Sequence, residues 1–155
     1  MVRFEVRPFD ALTNHQLYAL LRLRSEVFVV EQDCAYLDAD GLDLEARHIL
    51  GMEDGDLVAC ARWYWRDAPD PQGGPDSAAA VVLGRIVTAA SVRGKGYGKA
   101  LMAAALAAVD EESPRRVRMH AQAHLEGFYG QFGFETRGEP FDEDGIPHLL
   151  MVREP

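Results

Sequence analysis

Apolar and polar residues alternate through residues 2–7, with Val2, Phe4 and Val6 set against Arg3, Glu5 and Arg7. That period of two predicts a half-buried strand, which Pro8 closes. Thr13 then stands three residues before Gln16, the spacing of a capping box, and Leu12 and Leu17 are placed for a hydrophobic staple. Leu17, Leu20, Leu21, Arg24 and Phe28 share a helical face, so a helix running to about residue 30 is predicted to pack on a sheet. Residues 31–44 are acidic and aperiodic, and read as a loop. Residues 47–52 and 57–65 read as a hairpin around the turn 53–56, and residues 67–77, with three prolines and two glycines, as a surface loop.

The most informative stretch begins at Ala80. Residues 80–87 are apolar and β-branched enough for a buried strand, and from Lys99 onward Leu101, Met102, Ala105, Leu106 and Val109 recur at helical spacing. Between them lies Arg93-Gly94-Lys95-Gly96-Tyr97-Gly98-Lys99. Alternate glycines allow a tight turn and close approach of a ligand to the backbone. At the head of a helix the amide groups without intrahelical partners, together with the positive end of the dipole, favour an anion such as phosphate. Arg93, Lys95 and Lys99 add countercharge. A nucleotide triphosphatase loop would need Gly at Arg93 and a hydroxyl at Ala100. The dinucleotide fingerprint fails as well, because its third glycine would fall on Lys99 or Leu101.

After this helix, residues 117–122 read as a strand, and a short helix carries Leu125, Phe128, Tyr129 and Phe132. Residues 134–139 and 147–152 read as a last antiparallel pair around the acidic turn 142–145. Alternating strands and helices of this kind imply an α/β domain over residues 1–155, a mixed sheet with helices on both faces.

At 155 residues, 48% hydrophobic and 26% charged, the chain has the size and composition of one globular domain. No apolar run approaches the length of about 20 residues that spans a bilayer, and residues 1–10 have no signal-peptide core, so a cytoplasmic protein without membrane partners is expected. A net charge of -9 argues against nucleic acid as a partner and makes the basic cluster at residues 93–99 stand out. Cys34 and Cys60 make neither a zinc cluster nor a disulfide framework, and the five histidines lack ligand spacing, so no metal is expected.

Arg93, Gly96 and Gly98 fit the pattern [QR]xxGx[GA], which resembles motif A of the GNAT superfamily of N-acetyltransferases. Phe128-Tyr129-Gly130-Gln131-Phe132-Gly133-Phe134 is similar to the second signature of that family, FYxxxGF. Gln122 stands where the family often has Asn. The runs 27–36, 47–48, 121–122 and 143–148 look like the ElaA-type branch, so the resemblance covers most of the chain. It implies a central, mostly antiparallel sheet of six to seven strands and acetyl-CoA as co-substrate. The cofactor-binding residues it implies are Ile86, Val87 and Thr88 on a splayed strand, Arg93, Gly94, Lys95, Gly96, Tyr97, Gly98 and Lys99 around the phosphates, and Gln122, Leu125 and Tyr129.

The resemblance further implies acetyl transfer to a primary amine by direct attack, with a backbone N–H of residues 86–88 on the acetyl oxygen and Tyr129 as general acid to the thiolate. An amine with a pKa of about 10.4 must first lose a proton. Glu31 and His48 lie where the family usually builds its acceptor site and are the catalytic candidates for that step; His120, Asp142, Glu143 and His148 lie near the later strands. A small-molecule or peptide amine acceptor and a monomer or homodimer are expected. A second reading is an acetyl-CoA-binding sensor or interaction module that does not turn over.

Overall fold

The computed structural model describes residues 1–73 and 78–155, and its elements follow the predicted order. They are β1 (Arg3–Pro8), α1 (Asn14–Arg24), β2 (Arg47–Glu53), β3 (Asp56–Arg66), β4 (Ala80–Thr88), α2 (Tyr97–Glu112), β5 (Val117–Gln122), α3 (Glu126–Gly130), β6 (Glu135–Glu143) and β7 (Ile146–Arg153). The strands form one seven-stranded mixed sheet in the order β1-β2-β3-β4-β5-β7-β6. The chain falls into two compact units, Met1–Trp63 with Arg85–Ala108 and Tyr64–Gly84 with Val109–Pro155.

In the first unit the capping box forms as its spacing predicts. Thr13 Oγ1 accepts from the Gln16 N–H at 3.0 Å, and Gln16 Oε1 accepts from the Thr13 N–H at 2.9 Å. Both donors would otherwise be orphans of the first turn. α1 continues into a π-helical turn, Ser25–Glu31, where the Gln32 N–H reaches back five residues to the Val27 carbonyl at 3.1 Å. Leu20, Leu23 and Val27 bury their side chains with Cys60 and Val87, and Leu12, Leu17 and Phe28 pack around them. β2 and β3 form the expected hairpin. Asp54 and Gly55 take φ of 52° and 85°, the left-handed pair that a two-residue turn needs. The register shifts between Gly51 and Met52. A Cβ on Gly51 would come within 2.9 Å of the Phe4 ring and 3.0 Å of Ala59 Cβ, so only glycine fits.

In the second unit β4 pairs in parallel with β5 through Val81 and Val82, and β5, β7 and β6 follow antiparallel. β5 alternates cleanly: Val117, Met119 and Ala121 turn one way, and Arg118, His120 and Gln122 the other. Two expectations are corrected here. Glu143 belongs to β6 and not to the turn, which consists of Asp144 and Gly145 alone, at φ of 54° and 80°. The loop after β3 is no uniform surface loop, because Asp70 is buried in it. Its residues 74–77 lie outside the described residues. β6 runs longer than its sequence suggests because an irregularity between Arg137 and Phe141, with Gly138 at φ 75°, absorbs Pro140.

Candidate functional site

The basic turn sits at the head of α2. Gly94 and Gly96 both take φ of 82°, and a Cβ at either would meet nothing within 4 Å. Glycine is required there for its backbone conformation and for the open space over it, not by crowding from the protein. Gly98 departs from the expected pattern, since it lies inside α2, whose α-helical bonding starts with the Ala100 N–H on the Gly96 carbonyl at 3.1 Å. A 16-residue helix thus directs the positive end of its dipole and its first amide groups at the turn carrying Arg93, Lys95 and Lys99. This donor set fits a pyrophosphate. Tyr97 turns elsewhere and donates its hydroxyl to Glu53, which raises its pKa.

The strand leading to the turn is interrupted once. Arg85 takes φ of 50°, rare for a long side chain. Its guanidinium holds the loop before β2, with Nε 2.8 Å from Asp38 Oδ1 and Nη2 3.1 Å from the Asp38 carbonyl. Asp38 also accepts from Arg24, and Asp43 accepts from both Arg24 and Arg62, each contact between 2.8 and 2.9 Å. Arg62 in turn reaches Asp40 at 2.6 Å. Burial pushes the Asp43 carboxyl up, but hydrogen bonds and charge from Arg24 and Arg62 outweigh it and hold the group below the usual carboxylate range. Three arginines and three aspartates therefore tie β4 at Arg85 to the loop before β2. Sequence reading placed Arg24 on the buried helical face without its partners; nothing in the acidic run 38–43 marks it as their complement.

In the second unit, Gln122 ends β5, Leu125 closes the short turn that follows, and Tyr129 lies in α3. Tyr129 is buried against Phe128 and Phe134, which pushes its pKa up to about 12. Among the described residues no side chain or backbone group hydrogen-bonds its hydroxyl.

The two candidates for proton removal have other partners. Glu31 accepts from Arg93 Nη1 at 2.7 Å, and that hydrogen bond lowers its pKa. His48 is buried, with Nε2 2.9 Å from the Asp43 carbonyl. A carbonyl only accepts, so Nε2 carries the hydrogen, and burial favours the neutral ring. Asp142 caps the β6–β7 turn, accepting from the Gly145 N–H. His120, Glu143 and His148 converge on one face of β5, β6 and β7, joined by Asp70. Sequence reading missed Asp70 because a proline- and glycine-rich loop carries no signal for a buried carboxylate. Among the described residues, no three His, Cys, Asp or Glu side chains are grouped to hold a metal ion, and no helix is long and apolar enough to cross a membrane.

Residues 46–155 match the acetyltransferase (GNAT) domain family. Protein ElaA of Escherichia coli is 43% identical over 157 aligned positions, covering 99% of this chain and 97% of that protein. Its crystal structure superposes with a TM-score of 0.87 at 42% identity, covering 99% of this chain and all of that one. An acyl-CoA N-acyltransferase from Pseudomonas aeruginosa gives a TM-score of 0.86 at 40% identity, with 99% of each chain covered.

Proposed function

The chain belongs to the GNAT acetyltransferase family, and we propose that it moves an acetyl group from acetyl-CoA to a primary amine by direct attack, with Tyr129 as general acid. The observation that carries this reading is the turn at the head of α2, where Gly94 and Gly96 take left-handed backbone with nothing within 4 Å of a Cβ at either, in a run of sequence that holds Arg93, Lys95 and Lys99. Arg93, Lys95 and Lys99, with the amide groups of residues 94–98, would hold the phosphates. Backbone groups of Ile86, Val87 and Thr88 would hold the pantetheine arm, with one N–H directed at the acetyl oxygen. Gln122 and Leu125 are the further residues this reading assigns to cofactor binding. Acetyl-CoA supplies the activated acyl group as a thioester.

Burial keeps Tyr129 protonated at neutral pH, and among the described residues nothing hydrogen-bonds its hydroxyl, so it can donate to sulfur as negative charge develops there. A phenol at about 12 is a weaker acid than a thiol near 8.5. Its proton therefore passes to sulfur as the newly bonded nitrogen, now strongly acidic, returns one. In balance, the N–C bond forms, the C–S bond breaks, and free thiol and amide leave. Glu31 serves in this reading as the counterion that Arg93 exchanges for phosphate, and His48 as a neutral buried donor holding residue 43.

Calorimetric titration with acetyl-CoA, CoA, ATP and NAD, followed by a thiol-release assay over an amine panel, tests the assignment. Binding confined to the two CoA species, with turnover of an amine, is expected. Tyr129→Phe should lower the chemical rate about a hundredfold with acetyl-CoA affinity unchanged. Absence of CoA binding refutes the reading, and CoA binding with no turnover on any amine replaces it with a sensor.

A further inference from the structure

On the reading that the turn before α2 holds the phosphates of CoA, we propose that Lys95 and Lys99 are acylation sites, that an acyl phosphate docked at the same turn is the donor, and that the resulting amides close the turn to the cofactor. The composition of the chain points there. Lysine and arginine together number 16, and only Lys95 and Lys99 are lysine. The only ε-amino groups of the sequence therefore lie in one turn. Arginine would serve a phosphate at least as well, since its fork of donors matches two oxygens and its charge is permanent. What lysine adds is a nitrogen that becomes nucleophilic on losing a proton, and whose charge acetylation removes.

Both lysines are exposed. Lys95 is flanked by Gly94 and Gly96, each at φ 82°. Lys99 stands in the first turn of α2, where a side chain leans back over the residues before it. The other charges of the turn are already engaged. Arg93 is paired with Glu31 at 2.7 Å. Glu53 accepts from the Tyr97 hydroxyl, and that bond, with the N-terminus and Lys95 nearby, holds its carboxyl below the usual range. Acetylation of both lysines would leave Arg93, with its carboxylate partner, as the one basic side chain of the turn, and the attraction for a phosphate is lost.

The position of the carbonyl distinguishes the possible donors. In acetyl-CoA the thioester is separated from the phosphates by the whole pantetheine arm, so a cofactor seated by its phosphates holds its acetyl group far from both lysines. In an acyl phosphate the carbonyl carbon is one oxygen away from phosphorus, and a phosphoryl group bound at the turn brings it within reach of Lys95 or Lys99. The neutral amine attacks that carbon. The N–C bond forms, the C–O bond to phosphorus breaks, and inorganic phosphate leaves with the proton that nitrogen loses. Holding nucleophile and carbonyl together replaces a bimolecular encounter. Because the donor takes the place of the CoA phosphates, a chain loaded with cofactor is protected and an unloaded one is silenced.

The test uses the full chain with acetyl phosphate as donor, acetyl-CoA as the comparison donor and pyrophosphate as competitor. Mass spectrometry of the peptides carrying Lys95 and Lys99 reads acetylation in the folded chain and in the chain unfolded by urea. Acetyl phosphate should react about tenfold faster with the folded chain, pyrophosphate should suppress this, and acetyl-CoA should show no such acceleration. Calorimetry should then find CoA affinity lowered about tenfold in the acetylated chain. In the double variant Lys95→Arg, Lys99→Arg, CoA affinity, whatever its starting value, should not respond to the same treatment. Equal rates in the folded and unfolded chain, no effect of pyrophosphate, or unchanged CoA affinity after acetylation overturns the proposal even where the untreated chain binds CoA. Pyrophosphate-sensitive acetylation of a chain that does not bind CoA removes the cofactor reading and leaves the acylation sites standing.

Discussion

Replacing Arg85 by glycine and by alanine separates the two forces acting on that residue. Its backbone at φ 50° is disfavoured for any side chain with a Cβ, by about 1–2 kcal/mol. Against this stand the charge-assisted hydrogen bonds to Asp38 at 2.8 Å and Asp40 at 3.3 Å. Neither carboxylate is orphaned by removing Arg85, since Asp38 keeps Arg24 and Asp40 keeps Arg62. The loss therefore falls near the low end for charged pairs, about 2 kcal/mol in both variants. Alanine retains the backbone strain and glycine releases it. Arg85→Gly should accordingly be the more stable variant by about 1 kcal/mol, whereas in an ordinary strand interior glycine is the worse residue by about 0.5–1 kcal/mol. Urea denaturation of the three proteins, with the slopes compared to exclude changes in the unfolded state, measures the difference. Alanine equal to or better than glycine would refute the reasoning and mean that residue 85 relaxes to an extended conformation once its guanidinium is gone.

Three further outcomes are expected. Glu31→Gln frees Arg93 from its counterion and should tighten acetyl-CoA binding about threefold by calorimetry, without loss of kcat; a fall in kcat would instead restore Glu31 as a proton acceptor. Asp43→Ala leaves Arg24 and Arg62 each with one carboxylate partner in place of two, and should cost about 3 kcal/mol in urea denaturation; a loss below about 1 kcal/mol would mean that water replaces the carboxylate. Burial lowers the His120 pKa, but Glu143 and Asp70 outweigh it and raise the group overall. A raised folded-state pKa stabilises fully below the unfolded value near 6.5 and is lost as pH rises through the folded value. Stability of the parent should therefore fall relative to His120→Gln as pH increases above 6.5, and parallel curves would remove the charge from His120.

Elements whose signals lie close together in the chain were legible. The capping box joins residues three apart, the hairpin at Asp54-Gly55 is written in two residues, and the alternation of β5 reports its two faces directly. The β6–β7 turn shows where this stops. Four acidic and glycine residues look equally like a turn, and only the strand register decides that Glu143 belongs to the sheet and points at His120. The glycine-rich turn was legible as a turn at the head of a helix because its signal resides in consecutive residues.

The family, the element order and the location of the glycine-rich turn before α2 were determined by local pattern and motif. The tertiary structure decided which charge meets which: Arg85 finds Asp38 across 47 residues, His120 finds Asp70 across 50, and Arg93 finds Glu31 across 62. Hydrophobic periodicity specifies which face is buried, but a charged residue reads only as polar until the fold removes its water. Desolvation then forces each ion to pair with whatever opposite charge the topology brings within reach, and that choice is absent from any local stretch of sequence.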